Sequence, residues 1–276
     1  MKKIININKG WTFTDGKGVN EQVDVPHTWN AFDGQDGGND YLRAKFKYER
    51  TFTRPEGKIV YLEVKGALST ATVYVNGVFA ATHNGGYSTF RADITDLLRT
   101  ENTLVIEVDN IANEKVYPQE ADFTFFGGIY RDVNLIVCDE VRFDPNFAGK
   151  GGLKVTPTVD GETGRVLAET HVLGDGKVKY AIFDGEEKVA ESENGVFEVK
   201  NPHLWAGKKD PHLYTAKAYL YDGEELVDEL TENFGFRYFS IDKDKGFFLN
   251  GESYPLRGVC RHQDRRDKGY AIGKAE

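Results

Sequence analysis

Most apolar residues of this chain recur at every second position, and that period restricts the folds it can adopt. Leu104, Ile106 and Val108 follow the alternation closely. It returns in the segments 60–64, 73–75, 133–137, 166–172 and 178–182. Alternation of this kind puts apolar side chains on one face of a β-strand. The sequence therefore predicts an all-β protein made of half-buried antiparallel strands.

The residues between these segments agree with antiparallel pairing. Four dipeptides that tolerate positive φ stand between apolar runs: Asn76-Gly77, Asp184-Gly185, Asp222-Gly223 and Asn250-Gly251. Tight hairpins need such residues in their turns. Only Asp93–Leu98 has the pattern of a helical turn, which is too short to organise a fold.

The length of 276 residues, 39% of them hydrophobic, is more than one sandwich needs and suits two domains with part of a third. A break with Pro145 and several small residues separates the early strands from a series of about a hundred residues with the strand spacing of an immunoglobulin-like sandwich. A hairpin around Asn250-Gly251 then leads into a strand over Tyr254–Val259. The predicted domains are residues 1–141, 142–239 and 240–276.

Charge and composition exclude several classes of function. The formal net charge is -9, with both signs interspersed and no basic stripe, so we expect no nucleic-acid partner. No apolar stretch is long enough to predict a membrane span. The chain starts like a signal peptide, but its asparagines, Lys9 and Asp15 leave no apolar stretch long enough for one, and a protein whose signal peptide had been removed would look the same. Cys138 and Cys260 are far apart and have no metal-site spacing. Two free thiols in a cytoplasmic protein are the simplest interpretation.

Seven segments, taken together and in order, resemble glycoside hydrolase family 2, and its β-galactosidases most of all. The first contains the pattern Val-x-Val-Pro-His-x-Trp, and the fifth contains Gly-Gly-Ile-Tyr-Arg-Asp. The segments are Val23–Trp29, Tyr41–Arg43, Val73–Gly77, Asp93–Thr95, Phe125–Val133, Phe234–Arg237 and Leu256–Asp264. They cover the chain almost from end to end.

The resemblance implies a jelly-roll β-sandwich, then an immunoglobulin-like β-sandwich, then the truncated start of a (β/α)8 barrel. It also implies a retaining glycosidase that removes terminal non-reducing β-D-galactosides. Such enzymes use two carboxyl groups about 5–5.5 Å apart. In this family both are glutamates of later barrel strands, beyond Glu276. We therefore expect no catalytic residue in this chain, and no activity from the chain alone.

The resemblance assigns three substrate-binding residues. Asp122 matches an acidic residue that contacts the sugar in β-glucuronidases. Asp132 matches an aspartate that in β-galactosidases contacts galactose and an alkali cation. His262 matches a histidine that donates hydrogen bonds to sugar hydroxyls. Carboxylates suit both roles because they accept hydrogen bonds and bind hard cations. No cofactor is expected in this chain, whereas the full-length enzyme would take Na⁺ or Mg²⁺.

Several alternatives stay open. Asp132 favours galactose, because glucuronidases usually lack an aspartate there, but β-glucuronidase and β-mannosidase are alternatives within the family. Cys260 and Gln263 depart from the residues common in galactosidases. A stand-alone lectin is an alternative from another class, although it would have no use for the barrel strand of Leu256–Asp264. The expected partner is a carbohydrate substrate, and a homo-oligomer is compatible with the resemblance.

Overall fold

Strands make up nearly all the regular structure of this chain. The computed structural model describes residues 2–33, 41–118, 120–149 and 151–276. Within these ranges there is no α-helix, and the two 3-10 helices are Thr95–Leu97 and Phe147–Gly149. The all-β prediction is confirmed, and so is the short helical turn after Asp93. No helix in this part of the chain has the length and apolar character needed to cross a membrane.

Contacts divide the chain into two units. Unit A consists of Lys3–Cys138 and Arg261–Glu276, and unit B of Asp139–Cys260 with Lys2. The strands of unit A are β1 Lys3–Asn6, β2 Trp11–Thr14, β3 Asn20–Val23, β4 Lys45–Thr53, β5 Ile59–Val64, β6 Thr70–Val75, β7 Val78–Asn84, β8 Phe90–Asp93, β9 Glu101–Asp109 and β10 Val133–Cys138.

Two antiparallel sheets enclose the core of unit A. Their strand orders are β1-β10-β5-β8 and β3-β2-β4-β9-β6-β7. Leu104, Ile106 and Val108 on β9 are fully buried, as the alternation predicts, and they share one hydrophobic core with Leu62 and Val64 of the other sheet. Burying such side chains is the main favourable contribution to folding, at about 25 cal/mol per Å² of apolar surface.

A chain of polar side chains crosses the smaller sheet of unit A, strand by strand. Asn6 donates to Asn134 at 3.1 Å, and Asn134 donates to the Glu63 carboxylate at 2.9 Å. Arg91 Nε donates to the second oxygen of Glu63 at 2.7 Å, and Arg91 Nη2 lies at the same distance from it. Glu63 is only 5% exposed, so these contacts replace the water that its charge has lost.

The strands of unit B are shorter on average and follow the same alternation. They are β11 Arg142–Phe143, β12 Leu153–Asp160, β13 Thr163–Thr170, β14 Val172–Leu173, β15 Lys177–Asp184, β16 Glu187–Ser192, β17 Val196–Lys200, β18 Tyr214–Asp222, β19 Glu225–Phe234, β20 Phe239–Asp242, β21 Gly246–Leu249 and β22 Glu252–Ser253. The sheets β12-β13-β17 and β16-β15-β18-β19 contribute to one core, β11 pairs with β14, and β20-β21-β22 form a separate small sheet.

The predicted tight turns form where the dipeptides stand. Asn76 and Gly77, between β6 and β7, have φ of 53° and 81°. Asn250 and Gly251, between β21 and β22, have φ of 52° and 82°. Two successive positive φ angles match the right-handed twist of the strands that the turn joins, and asparagine followed by glycine adopts them at low cost.

The structure differs from the prediction of a buried strand over Tyr254–Val259 that leads on to Asp264. The hairpin before it forms, but residues 254–264 have no strand structure. Leu256 and Val259 are 71% and 93% exposed. A parallel strand requires hydrogen-bonding partners on neighbouring strands, and no described segment pairs with this one.

The polar chain on the smaller sheet predicts a large effect of Arg91. Arg91→Met should lower the free energy of unfolding by about 3–5 kcal/mol, because it leaves the buried Glu63 carboxylate without its cation. The matched control is Arg165→Met, which removes an exposed ion pair with Glu198 and should change stability little. Urea unfolding measures both variants, and equal losses would contradict the role assigned to Glu63 and Arg91.

Candidate functional site

The connection between β9 and β10 carries Asp122 and is held down by aromatic rings. Phe125 and Phe126 are 5% and 3% exposed, whereas Asp122 is exposed. Burial of the rings gives the loop a fixed base from which the carboxylate projects. Among the described residues, no hydrogen bond or ion pair of Asp122 is found, so its carboxylate is available to a ligand.

Two glycines let this loop lie directly on the segment Val23–Trp29. A Cβ at Gly127 would lie 2.0 Å from the Trp29 ring, and one at Gly128 would lie 2.3 Å from the His27 carbonyl oxygen. Backbone hydrogen bonds cross the contact, from Trp29 N to Gly127 O and from His27 N to Ile129 O. Any larger residue would push the loop away.

The histidine of the same segment has a structural role. His27 Nδ1 lies 2.8 Å from the hydroxyl of Tyr48, which is fully buried. Burial lowers the pKa of His27 and raises the pKa of Tyr48 well above its ordinary value. Both side chains are therefore neutral near pH 7, and they support the loop from inside the core.

Arg261–Glu276 belongs to unit A and brings His262 to the same loop. The His262 ring lies edge-on to Phe123, with 6.2 Å between centroids. Farther along, Thr28 Oγ1 donates to Lys268 O at 2.9 Å, and Tyr270 packs on Phe126 with 4.8 Å between ring centroids. One predicted site residue, His262, thus contacts Phe123, the residue that follows another, Asp122, in sequence.

An exposed carboxylate, an exposed imidazole and an aromatic ring suit recognition of a polyhydroxylated ligand. The carboxylate accepts hydrogen bonds from hydroxyl groups, the imidazole donates or accepts them, and the ring packs on C–H groups. No group of three or more histidine, cysteine or acidic side chains in the described ranges is arranged to hold a metal ion.

Asp132, the third predicted residue, has different surroundings. Its Oδ1 accepts from Asn8 Nδ2 at 2.9 Å, and its Oδ2 lies 3.3 Å from Lys65 Nζ. The Asn8 hydrogen bond, followed by the Lys65 contact, lowers the pKa of Asp132 despite partial burial. The carboxylate forms its ion pair with Lys65, whereas the neighbouring Arg131 donates to the Tyr130 and Tyr270 carbonyls.

This arrangement bears on the alkali cation expected at Asp132. The Lys65 ammonium stands where a cation would meet the carboxylate, so the residues do not fit a cation as they are placed. The cation role stays a prediction, and it requires Lys65 to move.

Sequence reasoning missed the contacts made by Asn8 and by Tyr270. Asn8 lies 124 residues from Asp132 and reaches it because β1 pairs with β10 in antiparallel register. The register could be inferred only from the fold. Tyr270 did carry a signal, since it is one aromatic residue in a polar stretch, but its partners Phe126 and Tyr130 lie some 140 residues away.

Family comparisons agree with this architecture. The model for glycosyl hydrolases family 2 matches residues 139–237, and that for the glycosyl hydrolase 2 galactose-binding domain-like fold matches residues 35–131. The chain therefore belongs to family 2 of the glycosyl hydrolases.

Relatives of two activities are similar to this chain. A crystal structure of an FMN-binding β-glucuronidase from F. prausnitzii L2-6 is 43% identical with a TM-score of 0.93, over 99% of this chain and 45% of that one. A β-glucuronidase of Bacteroides fragilis is 34% identical over 99% of this chain and 43% of its own length. A β-galactosidase of Thermoanaerobacter pseudethanolicus is 28% identical over 94% of this chain and 37% of its own length. The chain spans less than half the length of these relatives.

The contacts of Asp132 predict a pH-dependent contribution to stability. Because its pKa is lowered, ionised Asp132 stabilises the folded state above the ordinary value of 3.8, and this is lost as pH falls through the lowered pKa. Asp132→Asn should reduce the free energy of unfolding at pH 7 by less than about 1 kcal/mol, since the side chain is 43% exposed.

Urea unfolding at pH 7, 5 and 3 measures the difference from wild type, which should shrink at the lowest pH. The matched control is Asp160→Asn, which alters a more exposed ion pair with Arg165. If Asp132→Asn leaves the stability at pH 7 unchanged but abolishes sugar binding, Asp132 is a sugar-binding residue.

Proposed function

We propose that this chain is the N-terminal part of a retaining β-glucuronidase and that Asp122 and His262 bind the sugar. The observation that carries the proposal is the contact of His262 with Phe123. It joins residues some 140 positions apart into one exposed polar cluster. The family resemblance assigns sugar contacts to both of these positions.

The proposal includes the identity of the domains. Unit A acts as the jelly-roll sugar-binding domain, and the strands of unit B up to about Phe239 form the immunoglobulin-like domain. The stretch after them opens a (β/α)8 barrel that continues in the full-length protein. Support comes from the two family models, one matching within each unit, and from the length of the relatives.

Glucuronide is favoured over galactoside for two reasons. The relatives with higher identity that are described above are β-glucuronidases. In addition, the preference for galactose rested on Asp132, whose carboxylate is engaged by Asn8 and Lys65. β-Galactosidase and β-mannosidase are the alternatives within the family.

The charge of a glucuronide restricts how it binds. Its carboxylate and that of Asp122 repel each other, so Asp122 faces hydroxyl groups and the sugar carboxylate is bound by cationic groups elsewhere. Cleavage requires an acid and a nucleophile about 5–5.5 Å apart. We propose that both come from later barrel strands, so this chain supplies binding and positioning.

Substrate preference tests the proposal directly. The full polypeptide encoded by the gene should hydrolyse nitrophenyl β-D-glucuronide with a kcat/KM at least about 100-fold above that for the β-D-galactoside, because a site built to pair with the sugar carboxylate rejects a ligand that lacks it. The 276-residue chain should hydrolyse neither. The opposite preference would restore the galactosidase interpretation, and micromolar sugar binding without hydrolysis by the full polypeptide would favour a lectin.

The role of Asp122 is tested separately. Asp122→Asn should lower kcat/KM for the glucuronide by about 100-fold, because a substrate misplaced by about 1 Å reacts that much more slowly. The melting temperature should stay unchanged, since the carboxylate is exposed. The control is Asp96→Asn, an exposed aspartate in the 3-10 helix Thr95–Leu97. Equal activity of the two variants would remove Asp122 from the site.

A further inference from the structure

The segment that carries His262 has its buried attachment to the rest of unit A around Gly269. From Arg261 to Lys268 every residue is exposed, and Gly269 is the first buried one. The turn before it is closed on itself, because Arg265 N donates to Gly269 O at 3.1 Å and Gly269 N donates to Arg265 O at 2.9 Å. Only two residues separate His262 from Arg265, so the attachment of this turn determines where the imidazole lies.

Tyr270, next to Gly269, packs against the loop that carries Asp122. Its ring packs on Phe126 and Tyr130, with centroids 4.8 Å and 5.8 Å away. Its carbonyl oxygen accepts a hydrogen bond from Arg131 at 3.2 Å. The neighbouring Gly269 lies against Phe126 so closely that a Cβ would be 2.5 Å from the ring.

The two ends of the segment touch the same short loop. Tyr270 contacts Phe126, while His262 contacts Phe123, three residues earlier and next to Asp122. Phe126 itself is buried and held by the close approach of Gly127 to Trp29. The loop and the segment are therefore joined at two points, one of them buried and one exposed.

We infer that Tyr270 is a positioning residue of the sugar site, which holds His262 at a fixed distance from Asp122. The inference rests on the proposed function. Without the ring, the turn Arg265–Gly269 loses its packing on Phe126 and Tyr130. The hydrogen bonds that Thr28 and Arg131 donate to backbone carbonyls, together with the edge contact of His262 on Phe123, are too few to hold the imidazole in place. Tyr270 itself acts through His262 and need not touch the substrate.

A double-mutant cycle in the full polypeptide tests this inference. His262→Ala should lower kcat/KM for nitrophenyl β-D-glucuronide by about 100-fold, and Tyr270→Leu should do nearly the same. Because one residue acts through the other, the double variant should also lose about 100-fold, and independent roles would give about 10,000-fold. Tyr270→Phe, which keeps the ring, should retain most of the activity.

Two further variants distinguish a loss of positioning from a general folding defect. Gly269→Ala should displace the same turn, so it should lose as much activity as Tyr270→Leu. Combined with His262→Ala, it should again cause no additional loss. Tyr74→Ala removes a tyrosine from β6 that packs on Phe79, and it should leave kcat/KM unchanged. The melting temperature is measured for each variant.

The outcomes separate the inference from the function on which it rests. If His262→Ala leaves kcat/KM unchanged, the proposed site is wrong and the inference falls with it. If His262→Ala is impaired but the losses multiply, His262 belongs to the site and Tyr270 does not position it. Activity of Tyr270→Leu equal to that of Tyr74→Ala would also overturn the inference.

Discussion

The close approach of Gly127 and Gly128 to Trp29 and His27 fixes the loop that carries Asp122. The backbone at this point lies on an indole ring and on a carbonyl, with no room for a side chain. Phe125 and Phe126 are buried on one side of the contact, and Ile129 enters the core of unit A on the other. A loop of more than twenty residues is thereby attached at its C-terminal end, and Asp122 projects from it at a defined place.

The same contact connects the core of unit A to the segment 261–276. Phe126 is held from one side by its own loop and covered on the other by Gly269 and Tyr270. The Tyr270 ring also lies on Tyr130, whose hydroxyl donates to Gly86 O at 2.5 Å and whose pKa burial raises to about 12. The sheet, the loop and the segment 261–276 therefore pack on one another. A change at the glycine contact would move Phe126 and Tyr270, and with them the segment that carries His262.

The parts of the fold that could be predicted are those with a local cause. The alternation at Leu104, Ile106 and Val108 gives a strand, and Asn76-Gly77 gives a turn, because each depends on a few neighbouring residues. The extended strand predicted after Tyr254 did not form, because strand structure also needs a partner. The pairing of Asp132 with Asn8 and Lys65 is a long-range result of register, for which a single sequence has no signal.

Asp122 and Asp132 show why residue type alone does not define a binding residue. Both are partly or fully exposed aspartates that the family resemblance placed at the sugar. Asp132 already has an amide donor on one oxygen and an ammonium group near the other, and a ligand hydroxyl must compete with both. Asp122 stands on a rigid aromatic base with its hydrogen-bonding capacity unused among the described residues. A hydroxyl that binds Asp122 displaces only water, so the net gain from its charge-assisted hydrogen bond is larger there. Under the proposed function, the sugar is therefore recognised by the loop that carries Asp122 and by the segment that carries His262 rather than by Asp132, and a preference for galactose based on Asp132 loses its physical basis.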